Sequence, residues 1–151
     1  MTPSQDNTLY EDVTGSLSSG AGTALFVGST NGGSDRRALI QFDVSGAIPD
    51  GASISSASLT MTVTKTIADS HDATVHTLSS AWGEGASSAG RGGGGGAPAA
   101  DGDATWTHAV KDGGAWSSPG GDFAATASAS VGVAGSGAYT WESTDQLVAD
   151  V

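Results

Sequence analysis

The chain has 151 residues, with five Lys plus Arg against sixteen Asp plus Glu and a net charge of −11 at pH 7. That length suits one domain around one sizeable core, and so acidic a surface argues against nucleic acid and anionic membranes as partners. Cysteine is absent, which removes disulfides, thiol chemistry and cysteine-ligated zinc.

Large apolar residues are sparse, and 24 glycines fill the gaps together with many Ser, Thr and Ala. This is the composition of a secreted β protein rather than of a helical one. No apolar run approaches the roughly 20 residues of a membrane helix, so membrane insertion is not expected. The first residues, MTPSQDNTLYEDV, lack the basic and apolar regions of a signal peptide. An extracellular chain would then take its export signal from upstream of this segment.

In chain order, a first strand is expected over Asp6 to Val13, anchored by Leu9 and Val13. Gly15 to Gly22 reads as a Ser/Gly loop, and Thr23 to Gly28 as a short strand. Ser29 to Asp35 is turn material, where the Asn31-Gly32-Gly33 run is a strong hairpin cue. Two central strands follow within Arg36 to Lys65. In the first, Ala38, Ile40 and Phe42 alternate with Leu39, Gln41 and Asp43. After the Pro49-Asp50-Gly51 turn, Ala57, Leu59, Met61 and Val63 alternate with Ser58, Thr60, Thr62 and Thr64. That is the cleanest period-two pattern in the chain, apolar inward and hydroxyl outward.

Thr66 to Asp72 reads as a polar connection and Ala73 to Leu78 as another strand. The pattern then dissolves into a glycine-rich flexible loop over 86–103, which holds the five-glycine run Gly92 to Gly96. Ala104-Thr105-Trp106-Thr107 restarts an extended segment, and Trp116 to Phe123 looks like a tight aromatic-flanked turn. Alternation returns from Ala125 to Val133, and Gly137 to Glu142 gives one more strand. Ser143 and Gln146 match a capping box, so a short C-terminal helix begins there. Eight or so short strands with intervening turns predict an all-β, jelly-roll-type antiparallel sandwich, a single domain over 1–151.

Catalytic signatures are poor. No Gly-x-Ser-x-Gly elbow and no phosphate-binding glycine loop occurs, and no catalytic residue is assigned. Of the three histidines, His71 lies beside Asp69 and Asp72, where a metal or acid–base cluster competes with a plain solvated loop. His76 reads as a rim residue, and His108, close to Trp106, as a groove-lining one. The tryptophans Trp82, Trp106, Trp116 and Trp141 either stack on sugar rings or plug the ends of a small-residue core. Trp116, next to the Pro119-Gly120-Gly121 turn, is expected to be the most exposed. The candidate ligand-binding set is Trp82, Trp106, His108 and Trp116. No cofactor is required by the sequence; a structural Ca2+ would fall to Asp101, Asp103 and Asp122, since hard cations take oxygen ligands.

Several motifs in a fixed order are similar to the DNRLRE domain family of secreted and surface proteins of bacteria and archaea. They are Gln5-Asp6-Asn7-Thr8-Leu9, Leu25 to Gly28, Arg37 to Asp43, Ile48 to Ala52 leading into Ser56 to Leu59, and Trp82-x-Glu84-Gly85. Ala104-Thr105-Trp106, Trp116 to Phe123 and Leu147 to Val151 complete the set, which covers nearly the whole chain. The resemblance implies a jelly-roll sandwich that accompanies other domains of a larger parent protein at the cell surface, some relatives being carbohydrate-binding modules. It also implies a C-terminally truncated segment, because relatives continue through further strands. The scarcity of basic residues argues against an acidic polysaccharide such as alginate.

The expected function is thus a non-catalytic extracellular module that binds a polysaccharide or anchors its parent to a cell-surface component. The alternative is a structural or assembly module that polymerises or spaces domains by strand donation, self-associating through unpaired sheet edges.

Overall fold

A computed structural model describes residues 1–49, 51–67, 69–90 and 92–151. Asp50 of the expected Pro49-Asp50-Gly51 turn, Ala68 of the polar connection and Arg91 of the glycine-rich loop lie outside the described residues. The protein is all-β, with 31% of residues in strands and 3% in helix. In chain order the strands are β1 (Gln5–Tyr10), β2 (Leu17–Ser18), β3 (Gly28–Ser29), β4 (Asp35–Gln41), β5 (Leu59–Val63) and β6 (His71–Val75). They continue with β7 (Ala97–Pro98), β8 (His108–Val110), β9 (Gly114–Ala115), β10 (Ala129–Val133) and β11 (Gly137–Trp141), before helix α1 (Asp145–Ala149). Every strand pair is antiparallel. The chain divides into two compact units, one of Met1–Ile48 with Ser80–Asp122 and one of Pro49–Ser79 with Phe123–Val151.

The first unit is built on a three-stranded sheet of order β1-β4-β3. Asn7, Thr8, Leu9 and Tyr10 of β1 are all buried, so both faces of this strand are covered. Its polar members are therefore hydrogen-bonded, as burial demands. The Asn7 amide donates to Ser18 Oγ at 3.0 Å and to the Glu84 carbonyl at 2.8 Å. Thr8 Oγ1 accepts the Phe26 N–H at 3.1 Å.

Two expectations shift here. β1 stops at Tyr10, and Val13, expected as an anchor, is 92% exposed. The cause is Asp12, whose carboxylate accepts the N–H of Thr14 at 3.1 Å and of Ser16 at 2.8 Å and so bends the chain. In β4 the most buried residue is Leu39, at 7%, on the face it shares with Gln41. Of the strand expected over Thr23 to Gly28, only Gly28 pairs, because Phe26 spends its N–H on the Thr8 side chain. The hairpin turn is as expected: Gly33 N–H reaches the Thr30 carbonyl at 2.9 Å, and Ser29 pairs with Asp35.

The second unit holds two ribbons, β5 with β11 and β6 with β10. In β5 the half-buried Leu59, Met61 and Val63 alternate with exposed Thr60 and Thr62. They face Trp141, Tyr139 and Gly137 of β11 in register. Trp141 is 6% exposed and donates its indole N–H to the Ala73 carbonyl at 2.8 Å. Helix α1 starts one residue later than the capping box places it. Thr144, in extended conformation, is the cap and accepts the Leu147 N–H at 2.9 Å. Ser143 is drawn off to accept the Ala57 N–H at 3.2 Å. His71 opens β6 rather than lying in a loop, and the strand ends at Val75 rather than Leu78.

Candidate ligand-binding site

Trp106 and Trp116 of the first unit flank the β8–β9 hairpin, whose register sets His108 opposite Ala115. Trp106 lies two residues before β8, and Trp116 directly follows β9. Trp116 folds back, donating its indole N–H to the Thr105 carbonyl at 2.8 Å and its main-chain N–H to Thr107 at 3.2 Å. Trp106 lies beneath the Arg37 guanidinium, 4.9 Å from the ring centroid, a cation–π arrangement. Arg37 also donates to the Gly120 carbonyl at 2.7 Å, and the Gly120 N–H returns to the Trp106 carbonyl at 2.7 Å. The turn must have glycine there: φ is +93°, and a Cβ would sit 2.4 Å from Arg37 Nη1.

This closure decides between the two readings of the tryptophans. Trp106 is 8% exposed and Trp116 6%. Trp116, expected to be the most exposed of the set, is covered because its polar edge finds an internal acceptor. Both rings are core plugs.

Trp82 and His108 keep part of their surface, both being half-buried. The backbone brings their neighbours together. Gly83 donates to the Ala109 carbonyl at 3.0 Å and accepts the Ala104 N–H at 2.8 Å. A Cβ on Gly83 would fall 1.9 Å from the Gly102 carbonyl oxygen, so these two segments approach closely. His108 Nδ1 is 2.9 Å from Thr107 Oγ1. Main-chain bonds thus bring the segment that carries Trp82 alongside the one that carries His108.

The carboxylates named for a cation serve the loops. Asp103 is fully buried and accepts the N–H groups of Ala86 (2.9 Å), Ser87 (3.3 Å) and Ala100 (2.7 Å), together with the Ser87 hydroxyl. It thereby ties both ends of the glycine-rich segment, which itself carries β7. Asp122 accepts the Ser117 N–H at 2.9 Å and the Ser118 N–H at 3.2 Å. The Ser117 bond is the main reason its carboxyl lies below the usual carboxylate range. Asp101 is exposed. Among the described residues no three His, Cys, Asp or Glu side chains gather as a metal-holding group. His71 and Asp72 lie on exposed β6 positions and Asp69 is exposed. His76 is held between the Ala124 carbonyl (2.8 Å) and Thr74 Oγ1 (3.0 Å), edge-on to Phe123.

The arginines of β4 hold structural roles that the sequence reading did not assign. Arg36 sits over the Tyr10 ring at 5.0 Å and donates Nε–H to the Gly94 carbonyl at 3.2 Å. Tyr10 in turn donates to the Gly93 carbonyl at 2.7 Å. The signal was available: two of the five basic residues stand side by side in a strand otherwise rich in apolar residues. Asp6 and Glu84 form a second overlooked relationship. The Asp6 N–H donates to Glu84 Oε1 at 3.0 Å, and burial, then the Glu84 charge, raises the Asp6 carboxyl above its ordinary value.

Among the described residues no helix is long and apolar enough to cross a membrane. Compared with known protein families, curated proteins and solved structures, the chain matches none.

Proposed function

We propose that this chain is a non-catalytic extracellular β module, a jelly-roll sandwich of the DNRLRE kind, that binds neutral carbohydrate through Trp82 and His108. The observation that carries this reading is the half-buried Trp82 next to Gly83, whose main-chain N–H bonds to the Ala109 carbonyl of β8. A partly exposed indole offers stacking to a sugar ring, and the partly exposed His108 imidazole offers a hydrogen bond. The carboxylates lend further support. Asp12, Asp103 and Asp122 each accept the N–H groups of their own loops, which is scaffold work rather than acid–base work. Neutral glycans suit the −11 net charge better than acidic ones, which it repels.

A panel of neutral and acidic polysaccharides, titrated against the wild type and Trp82→Ala, tests the reading. Binding to a neutral glycan that Trp82→Ala abolishes supports it. No binding tighter than about 1 mM, a floor of roughly −4 kcal/mol, across the panel overturns it.

A further inference from the structure

We propose that the edge of β5 opposite β11 is a self-association edge, where two copies of this chain pair antiparallel through Leu59–Val63 about Met61. Among the described residues β5 pairs with β11 and with no other strand. Exposed strand edges in natural proteins carry Lys, Pro, bulges or inward charges that block pairing. Leu-Thr-Met-Thr-Val has none of these, and its register with β11 runs without a shift.

The occupant follows from the sequence of the strand itself. It is a palindrome in kind, apolar-hydroxyl-apolar-hydroxyl-apolar, centred on Met61. A two-fold axis through Met61 sets Leu59 opposite Val63 of the second copy and Thr60 opposite Thr62. Apolar residues then meet apolar ones on the half-buried face, and hydroxyls meet hydroxyls on the exposed face. An isologous interface needs this self-complementarity. The same face already holds such a pair, since Thr60 and Thr140 Oγ1 atoms lie 2.9 Å apart across β5 and β11.

Charge points the same way. With a net charge of −11 two copies repel over most of their surface, whereas β5 carries no charged residue. Pairing also turns a two-stranded ribbon into a four-stranded sheet, past the size at which an isolated ribbon is marginal.

The absence of cysteine makes the register testable. Thr60→Cys and Thr62→Cys proteins are prepared separately, then oxidised in air either alone or mixed. The paired register sets position 60 of one copy against 62 of the other, so a disulfide dimer forms in the mixture and not in either protein alone. Sedimentation of the wild type shows a dimer that strengthens with salt as repulsion is screened, and Thr62→Lys weakens it roughly tenfold or more. A chain monomeric to its solubility limit overturns the proposal. So do crosslinks that ignore the 60–62 register, or a dimer that folded Thr62→Lys, checked by circular dichroism, leaves unchanged.

Discussion

The buried carboxylate of Asp103 accepts the main-chain N–H of Ala86 at 2.9 Å, joining two points seventeen residues apart in sequence. The same group accepts the Ala100 N–H at 2.7 Å, so a single side chain closes the glycine-rich loop at both ends. Replacing it by Asn substitutes a donor for one acceptor oxygen and leaves buried N–H groups unpaired. Asp103→Asn is expected to cost about 1–3 kcal/mol, and Asp103→Ala at least as much, read from urea unfolding. Proteolysis of the glycine-rich loop should accelerate in parallel, because its ends are no longer held.

The tryptophans should separate into two classes. Trp116 is buried with its indole N–H on Thr105, so Trp116→Ala is expected to cost about 3–5 kcal/mol of stability. Trp82 keeps part of its surface, and its truncation should lower the melting temperature less while removing glycan binding. Equal losses of stability from the two variants would contradict the distinction.

Glycine substitutions should discriminate within one residue type. A Cβ at Gly20 would lie 1.7 Å from the Glu84 carbonyl oxygen, whereas one at Gly95 meets nothing within 4 Å. Backbone cannot yield as a flexible side chain can, so Gly20→Ala is expected to lose several kcal/mol, on the order of a severe overpacking. Gly95→Ala should stay within about 1 kcal/mol of the wild type, with less chain entropy lost on folding. The five-glycine run is thus not uniformly constrained; Gly93, where a Cβ would sit 2.8 Å from the Phe26 ring, and Gly96, with φ +72° against Tyr10, are its demanding members.

The all-β character was legible because Leu59–Val63, Ala129–Val133 and Gly137–Trp141 carry their alternation locally. The two-residue strands β2 and β7 were not, since a pair such as Leu17 with Pro98 is decided by segments distant in sequence. Core burial was one of the two readings open for Trp106 and Trp116; what settles it for Trp106 is not local. It depends on Arg37 reaching Gly120, a contact spanning 83 positions. Val13 misled because apolarity was read as inward direction, while the Asp12 carboxylate had already turned the chain. Trp82 and His108 were legible as candidates. The adjacent Arg36 and Arg37 were visible as a pair, but their ring partners follow from tertiary contacts, Tyr10 through β1–β4 pairing and Trp106 through the distant segment before β8.

Acid should act on this fold through opposing carboxylates. Asp12 is held well below the ordinary value of 3.8 by hydrogen bonds, those from Ser16 first and then from Thr14. Asp150 is lowered chiefly by the Ser128 hydroxyl and Asp122 by the Ser117 N–H. For each, the folded state binds its proton less readily than the unfolded chain. The stabilisation is therefore complete above 3.8 and lost as pH falls through the lower folded value. Asp6 runs the other way. Burial, then Glu84, raises it above 3.8, so its contribution is complete below 3.8 and lost as pH rises through the raised value. Asp6→Asn, which removes that charge, is expected to be more stable than the wild type at neutral pH, with the advantage gone at about pH 3. Asp12→Asn should flatten the acid limb of the stability curve. Urea midpoints of the three proteins from neutral pH to about pH 2 measure this, and an Asp6→Asn advantage that grows on acidification would contradict it.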